Sequence, residues 1–270
     1  MPELPEVETS RRGIEPHIIG TRVERVIVRN RSLRWPVSET LDRNLLGETI
    51  TSVTRRAKYL LINTDGGSAI LHLGMSGSVY IVDRDTPAGI HDHVDIDFDS
   101  GKTMRFRDPR RFGSLHWSKA PLQHKLLKSL GPEPLVNDFD ARYLWEKSRG
   151  RRVSVKQFIM NAQVVVGVGN IYASESLHRA GIHPNRAAGK VSLPRYQALV
   201  SQVKDVLGEA IESGGSTLRD YVNGSGSPGY FQQKLLVYGR TGEECAACSK
   251  SIRQIKIGQR SSFYCPHCQK

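Results

Sequence analysis

The run Val94-Asp95-Ile96-Asp97-Phe98-Asp99-Ser100-Gly101-Lys102-Thr103-Met104-Arg105-Phe106 alternates apolar and polar residues, breaks at Asp99-Ser100-Gly101-Lys102, and resumes the alternation at Met104 and Phe106. A period of two puts Val94, Ile96 and Phe98 on one face of a strand, and a short Gly-containing break returns the chain alongside itself. The segment therefore predicts an antiparallel hairpin with one apolar face. Upstream, residues 58–62 and 69–73 are apolar runs separated by the turn Asp65-Gly66-Gly67, and Val23, Val26 and Val28 punctuate polar positions after a short opening helix. Strands joined by tight turns over the first ~130 residues predict an antiparallel β-sandwich or flattened barrel. Downstream, Gly131-Pro132-Glu133-Pro134 marks a boundary, after which the apolar spacing becomes helical around 140–148, 153–161, 170–180 and 192–213. Residues 214–229 are rich in Gly, Ser and Pro and read as a loop. No internal repeat is evident. The fold class is α+β, and 270 residues suffice for about two domains with real cores.

The chain carries a formal charge of +12 and a sequence pI near 9.7. The excess is uneven: residues 1–135 hold 20 Lys and Arg against 17 Asp and Glu, whereas residues 136–270 hold 19 against 10. A polyanion would thus be gripped mainly by the C-terminal half. No basic amphipathic helix or lipidation signal appears, and no apolar run approaches a membrane span, so a membrane partner is not expected. Glu3, Glu6 and Glu8 stand where a secretory leader would be basic and then apolar, which predicts a cytoplasmic, reducing location.

All four cysteines lie in the last 26 residues, as Cys245-x2-Cys248 and Cys265-x2-Cys268 with sixteen residues between the pairs. Two CxxC pairs at this separation set four thiolates around one tetrahedral zinc, and no open coordination position remains for chemistry. One structural Zn²⁺ is expected. Between the pairs, Arg253, Ile255 and Ile257 fit one strand and Gly258 turns the chain into Ser261–Tyr264, so the finger reads as a β-hairpin with Arg260 at or beside its tip.

The N-terminus reads Met1-Pro2-Glu3-Leu4-Pro5-Glu6-Val7-Glu8. Initiator Met is readily removed before a small residue, leaving Pro2 as a secondary amine with an ordinary pKa of about 8. Attack of such an amine on a sugar C1′ gives an iminium that cannot become neutral by losing an N–H proton. The trapped charge acidifies the C2′ protons and elimination follows. Glu3 and Glu6 lie beside the amine as proton-transfer groups. The plainer reading is a capped helix start, because Pro5 and the acids suit a first turn.

Taken together, PELPEVE at the start, HLGMSG at 72–77, DPRRFG at 108–113, GVGNIYASE at 167–175 and the terminal four-cysteine finger resemble bacterial formamidopyrimidine-DNA glycosylase over essentially the whole chain. The resemblance implies domains at 1–131 (catalytic β-sandwich), 132–235 (helix–two-turns–helix, with a lesion-recognition loop at 214–229) and 236–270 (zinc finger). It implies Pro2 as the nucleophile, Glu3 as the acid that protonates the sugar ring oxygen, and Glu6 as the residue orienting that site. Lys58 is implied as a proton donor in β-elimination and Arg260 in δ-elimination. Physically, both cations also suit phosphate clamping, and a guanidinium stays protonated at any workable pH. On a strand, Arg56, Lys58 and Leu60 would share one face.

Base excision requires the target nucleotide to leave the stack, and something must occupy the space. The resemblance makes Met75, Arg110 and Phe112 the void-fillers, which accounts for large apolar side chains on Gly-flanked loops. It places Asn170 and Lys156 on the backbone of the lesion strand and gives His91 and Arg151 DNA contacts. Tyr238 and Arg240, just before the finger, are candidates for further phosphate contacts. The implied partner is double-stranded DNA containing an oxidised purine or an abasic site, bound by a monomer associated with the bacterial nucleoid. Two alternatives stay open: an endonuclease VIII-like glycosylase for oxidised pyrimidines, and a non-catalytic zinc-containing DNA-binding protein.

Overall fold

The computed structural model describes residues 2–215 and 235–270. Met1 and most of the expected loop at 214–229 lie outside the described residues. Two compact units partition the chain, one holding the residues up to 128 with 213–215, the other Ser129–Glu212 with the residues from 235 onward.

The first unit opens with α1 (Leu4–Ile18), followed by β1 (Val23–Val28), α2 (Leu41–Leu45), β2 (Ser52–Arg56), β3 (Tyr59–Thr64), β4 (Gly67–His72), β5 (Ser78–Asp83), β6 (Asp92–Phe98), β7 (Lys102–Arg107) and β8 (Ser114–Ser118). The strands form two four-stranded sheets, ordered β1-β6-β7-β5 and β2-β3-β4-β8. Every pairing is antiparallel. The hairpin read from 94–106 is β6–β7, with Val94 opposite Phe106 and Ile96 opposite Met104. Lys102, expected in the turn, begins β7 instead, because Gly101 at φ +76° reverses the chain and donates its N–H to Phe98 O at 3.0 Å.

The apolar alternate residues Val94, Ile96, Phe98, Met104 and Phe106 meet Leu60, Ile62, Leu71 and Leu115 of the other sheet and Val7, Ile14 and Ile18 of α1 in one core. Each such side chain contributes about 1.5–3 kcal/mol on burial. The polar alternate residues are buried too. Asp95 accepts from Arg29 (2.6 Å) and Arg105 (2.9 and 2.8 Å), and Asp97 accepts from Arg25 (2.7 Å) and Thr103 (2.6 Å). Burial pushes the Asp95 carboxyl up, but its two arginines outweigh that and hold it below the ordinary range.

In the second unit, α3 (Ala141–Ser148), α4 (Val155–Ile159), α5 (Asn170–Arg179) and α6 (Leu193–Glu212) precede a hairpin of β9 (Arg253–Ile257) and β10 (Arg260–Tyr264). Caps explain two of the helix starts: Asp140 Oδ1 accepts from Tyr143 N at 2.7 Å, and Ser154 Oγ accepts from Gln157 N at 3.2 Å. α4 is shorter than the 153–161 expected. The stripe Tyr196, Leu199, Val200, Val203, Val206, Leu207, Ala210 and Ile211 buries one face of α6. By contrast α5 is buried all round from Ile171 to His178, packed against α4, α6 and β10.

Candidate functional site

The start of α1 brings together the acids singled out by the sequence. Glu3 N–H donates to Glu6 Oε2 at 2.8 Å, and the reciprocal contact completes a capping box. Both carboxylates are buried, Glu3 to 3% and Glu6 to 0% exposure, and Pro2 beside them is buried as well. Gly215 reaches this point: a Cβ added there would lie 3.3 Å from Glu6 Cγ and Oε1, and its φ is +82°.

Lys58 is not on a strand face with Arg56 and Leu60. β2 ends at Arg56, which pairs with Tyr59, so Ala57 and Lys58 form the two-residue turn of a hairpin. Ala57 adopts φ +56°, a conformation costing an L-residue roughly 1–2 kcal/mol. Arg55 holds this turn to α1: its Nη1 donates to Ala57 O at 2.9 Å and its Nε to Glu8 Oε2 at 3.2 Å. Burial pushes the Glu8 carboxyl up, yet hydrogen bonds from Arg11 and Arg12 and the charge of Arg55 bring it below its ordinary value. The lysine is thereby fixed relative to the helix that begins at Leu4.

Beside it, the His72 ring lies against Tyr59 with centroids 4.7 Å apart, and its Nδ1 accepts from Gly74 N at 3.0 Å. Burial, and then the charges of Lys58 and Arg34, push the His72 imidazole down to about 4. It is neutral at pH 7.

Met75 and Phe112 are 39% and 36% exposed, on two loops locked backbone to backbone. A Cβ on Gly74 would fall 2.4 Å from Gly113 N and Phe112 C, so only glycine permits this approach. Asp108, fully buried, holds both loops: its carboxylate accepts from Ser76 Oγ (2.8 Å) and Gly113 N (2.7 Å). Arg111 sits at φ +56°, and the exposed Arg110 guanidinium lies 5.0 Å from the Phe112 ring centroid. Half-buried His91 is tied to the second loop, since its carbonyl accepts from Asp108 N at 3.0 Å.

In the second unit, Asn170, Tyr238 and Lys156 converge on β10 next to exposed Arg260. Asn170 Nδ2 donates to Ser261 O (3.0 Å) and approaches Tyr238 OH (3.4 Å). Lys156 is 1% exposed, and its ammonium donates to Ser262 Oγ (2.8 Å) and Ser261 O (3.2 Å). Placed on a DNA backbone by the sequence reading, Lys156 instead supports the strand that presents Arg260, because a buried ammonium needs acceptors around it. Arg151 is exposed before α4. Arg240 is engaged by Glu243 (2.7 Å) and by the carbonyls of Leu235 and Leu236. The polar anchor of this region is Glu175, 1% exposed, whose carboxylate accepts the consecutive amides of Leu236 (2.8 Å), Val237 (3.0 Å) and Tyr238 (2.8 Å).

The sulfurs of Cys245, Cys248, Cys265 and Cys268 all lie within 4.8 Å of one another. Cys248–Cys265 and Cys245–Cys268 are separated by 3.4 and 3.9 Å, and no disulfide joins any of them. A tetrahedral zinc with bonds of about 2.3 Å spaces its sulfurs about 3.8 Å apart. The donor set therefore fits Zn²⁺.

Comparison with known proteins follows the same division. Residues 1–115 match the formamidopyrimidine-DNA glycosylase N-terminal domain, 130–222 its H2TH domain, and 242–270 the zinc finger found in FPG and IleRS. Formamidopyrimidine-DNA glycosylases of Pseudomonas paraeruginosa and Stutzerimonas stutzeri are each 59% identical over all 270 residues, covering both chains completely. The chain belongs to the formamidopyrimidine-DNA glycosylase family. Among solved structures, a Lactococcus lactis FPG mutant in complex with Fapy-dG DNA is 35% identical with a TM-score of 0.92, both chains covered in full. MutM in complex with carbocyclic 8-oxo-G DNA is 34% identical with a TM-score of 0.91, again over both full chains.

Within this formamidopyrimidine-DNA glycosylase fold, the sequence reading missed Glu8, Arg55, His72, Asp108 and a structural role for Glu175. Asp108 and Glu175 stood inside quoted motifs, but nothing local says that a carboxylate will serve backbone amides of another segment. One expectation follows from His72. Its folded pKa is lowered, so its contribution is intact above the unfolded value of about 6.5 and is lost as pH falls toward about 4. Urea unfolding is expected to show up to about 3 kcal/mol of stability lost between pH 7 and 4 through this group. His72→Asn should flatten that decline, and an equally acid-sensitive variant would remove His72 as its source.

Proposed function

We propose that the protein is a bifunctional DNA glycosylase and abasic-site lyase of base excision repair that acts on oxidised purines in duplex DNA. The observation that carries this reading is the N-terminal constellation: a proline followed by two buried, mutually capped carboxylates. The capping box by itself serves any helix start, whereas the burial of both carboxylates beside Pro2 is what a proton-transfer site adds. The Lactococcus lactis relatives in complex with Fapy-dG and abasic-site DNA support the same substrate class.

With Met1 removed, the Pro2 nitrogen adds its lone pair to C1′ of the extruded nucleoside. The C1′–base bond breaks and the base departs with the bonding pair to be protonated, while the proline nitrogen gives up its N–H proton. Glu3 then protonates the ring oxygen, the C1′–O4′ bond breaks and the sugar ring opens. The resulting iminium draws electrons from C2′; loss of a C2′ proton expels the 3′ phosphate, and a second elimination expels the 5′ phosphate. Glu6 positions the helix start through its bond to the Glu3 amide. Lys58, held by Arg55 and Glu8, supplies a fixed cation for a phosphate or a proton in β-elimination. Arg260 clamps a phosphate in the δ step, with Asn170, Tyr238 and Lys156 shaping the strand that carries it and Arg151 adding a backbone contact. Met75, Arg110 and Phe112 fill the vacated stack, and His91 contacts DNA beside them. Zinc, held by Cys245, Cys248, Cys265 and Cys268, braces the finger. No described helix is long and apolar enough to cross a membrane. The relatives are bacterial, and the place proposed for the protein is the cytoplasm, at the nucleoid where its DNA substrate lies.

The test is borohydride added during turnover on a duplex containing one 8-oxoguanine. A covalent protein–DNA species is expected, with the DNA mapping to Pro2 and an intact mass lacking Met1. Cross-linking at another residue, or active protein retaining Met1, overturns the proline mechanism. Preferential cleavage of thymine glycol would instead indicate a pyrimidine glycosylase.

A further inference from the structure

His178 occupies the last turn of α5, is 8% exposed, and lies with Nε2 3.5 Å from Cys245 Sγ. Its Nδ1 is buried and has no hydrogen-bond partner among the described residues. A neutral imidazole has one N–H and one bare lone pair. Placing the hydrogen on Nδ1 would bury an unsatisfied donor and set the Nε2 lone pair against the sulfur. Placing it on Nε2 gives an N–H···S hydrogen bond, and a lone pair is cheaper to leave unmet than a donor. The zinc-bound form of Cys245 is a thiolate, so the acceptor is an anion and the bond is charge-assisted.

We infer that His178 is a positioning residue of the zinc centre, donating from Nε2 to the Cys245 thiolate and fastening α5 to the metal. Four thiolates on Zn²⁺ leave a net charge of −2, which donors around the sulfurs must stabilise. Cys268 N–H approaches Cys265 Sγ at 3.5 Å from within the finger, whereas His178 brings a donor from outside it. Along α5, Asn170 reaches Ser261 O, Glu175 takes the amides of 236–238, and His178 reaches Cys245. Over eight residues, about 12 Å of helix, one element thus joins the surroundings of Arg260 to the metal. Withdrawing charge from Cys245 makes it a poorer nucleophile and slows attack by electrophiles on the finger.

The experiment uses zinc-loaded full-length protein, exposed to a mercurial thiol reagent with a chromogenic chelator reporting zinc release. His178→Phe, of similar volume and without a donor, is expected to release zinc on the order of tenfold faster, while His178→Gln stays within about twofold of wild type. On the unmodified protein, ¹⁵N-histidine NMR should show His178 protonated at Nε2 and bare at Nδ1. Release from His178→Phe at the wild-type rate, equal acceleration by Phe and Gln, or a protonated Nδ1 overturns the inference.

Discussion

Glu3→Gln is expected to leave fold and duplex affinity intact while excision of 8-oxoguanine falls by roughly 10²–10⁴-fold, the range of a lost general acid. The amide keeps a carbonyl oxygen that can accept the Glu6 N–H, and the bond from Glu3 N–H to Glu6 Oε2 is untouched. Stability should therefore change by no more than about 1 kcal/mol, the usual weight of a cap. The substitution removes only the transferable proton. Cleavage at a preformed abasic site should fall far less, since its C1′ is already an aldehyde that Pro2 can attack with no base to expel. Single-turnover excision, abasic-site cleavage and thermal unfolding on one preparation separate these effects. Unchanged excision would remove Glu3 from the role of acid.

The second large effect concerns stability. Glu175→Ala strips the acceptor from three consecutive amides inside the second unit. An unmet buried donor costs about 1–3 kcal/mol, and partial rescue by water brings the expected total to roughly 3–5 kcal/mol. Glu175→Gln keeps the volume and one oxygen but turns an NH₂ toward N–H groups, so an intermediate loss is expected. Burial pushes the Glu175 carboxyl up, against the pull of the three amides and Arg179. The anion is nonetheless the form these amides favour. Since Tyr238 N–H is one of the three, duplex affinity should weaken along with unfolding stability. Urea unfolding and a binding titration check both, and an Ala variant as stable as wild type would mean that the amides have other acceptors.

How much of this was legible in the chain follows from how local each signal is. The β6–β7 hairpin, the four-cysteine finger and the helices near 141–148, 170–179 and 193–212 are carried by periodicity, spacing and turn residues a few positions apart. Such patterns act before any tertiary contact forms. The buried capping box at Glu3 and Glu6 is equally local, three residues across.

What the sequence determined by itself is therefore the β6–β7 hairpin, the helical spans of the second half, the zinc ligands and the acidic N-terminal cluster. Tertiary structure alone decided where the fixed charges went. It moved Lys58 from a strand face into a turn held by Arg55 and Glu8, and drew Lys156 under β10. It also set Glu175 on amides 61–63 residues away and His178 on a sulfur 67 residues away. A buried charge or polar group must find compensating partners wherever the fold supplies them, and no short-range pattern records that choice.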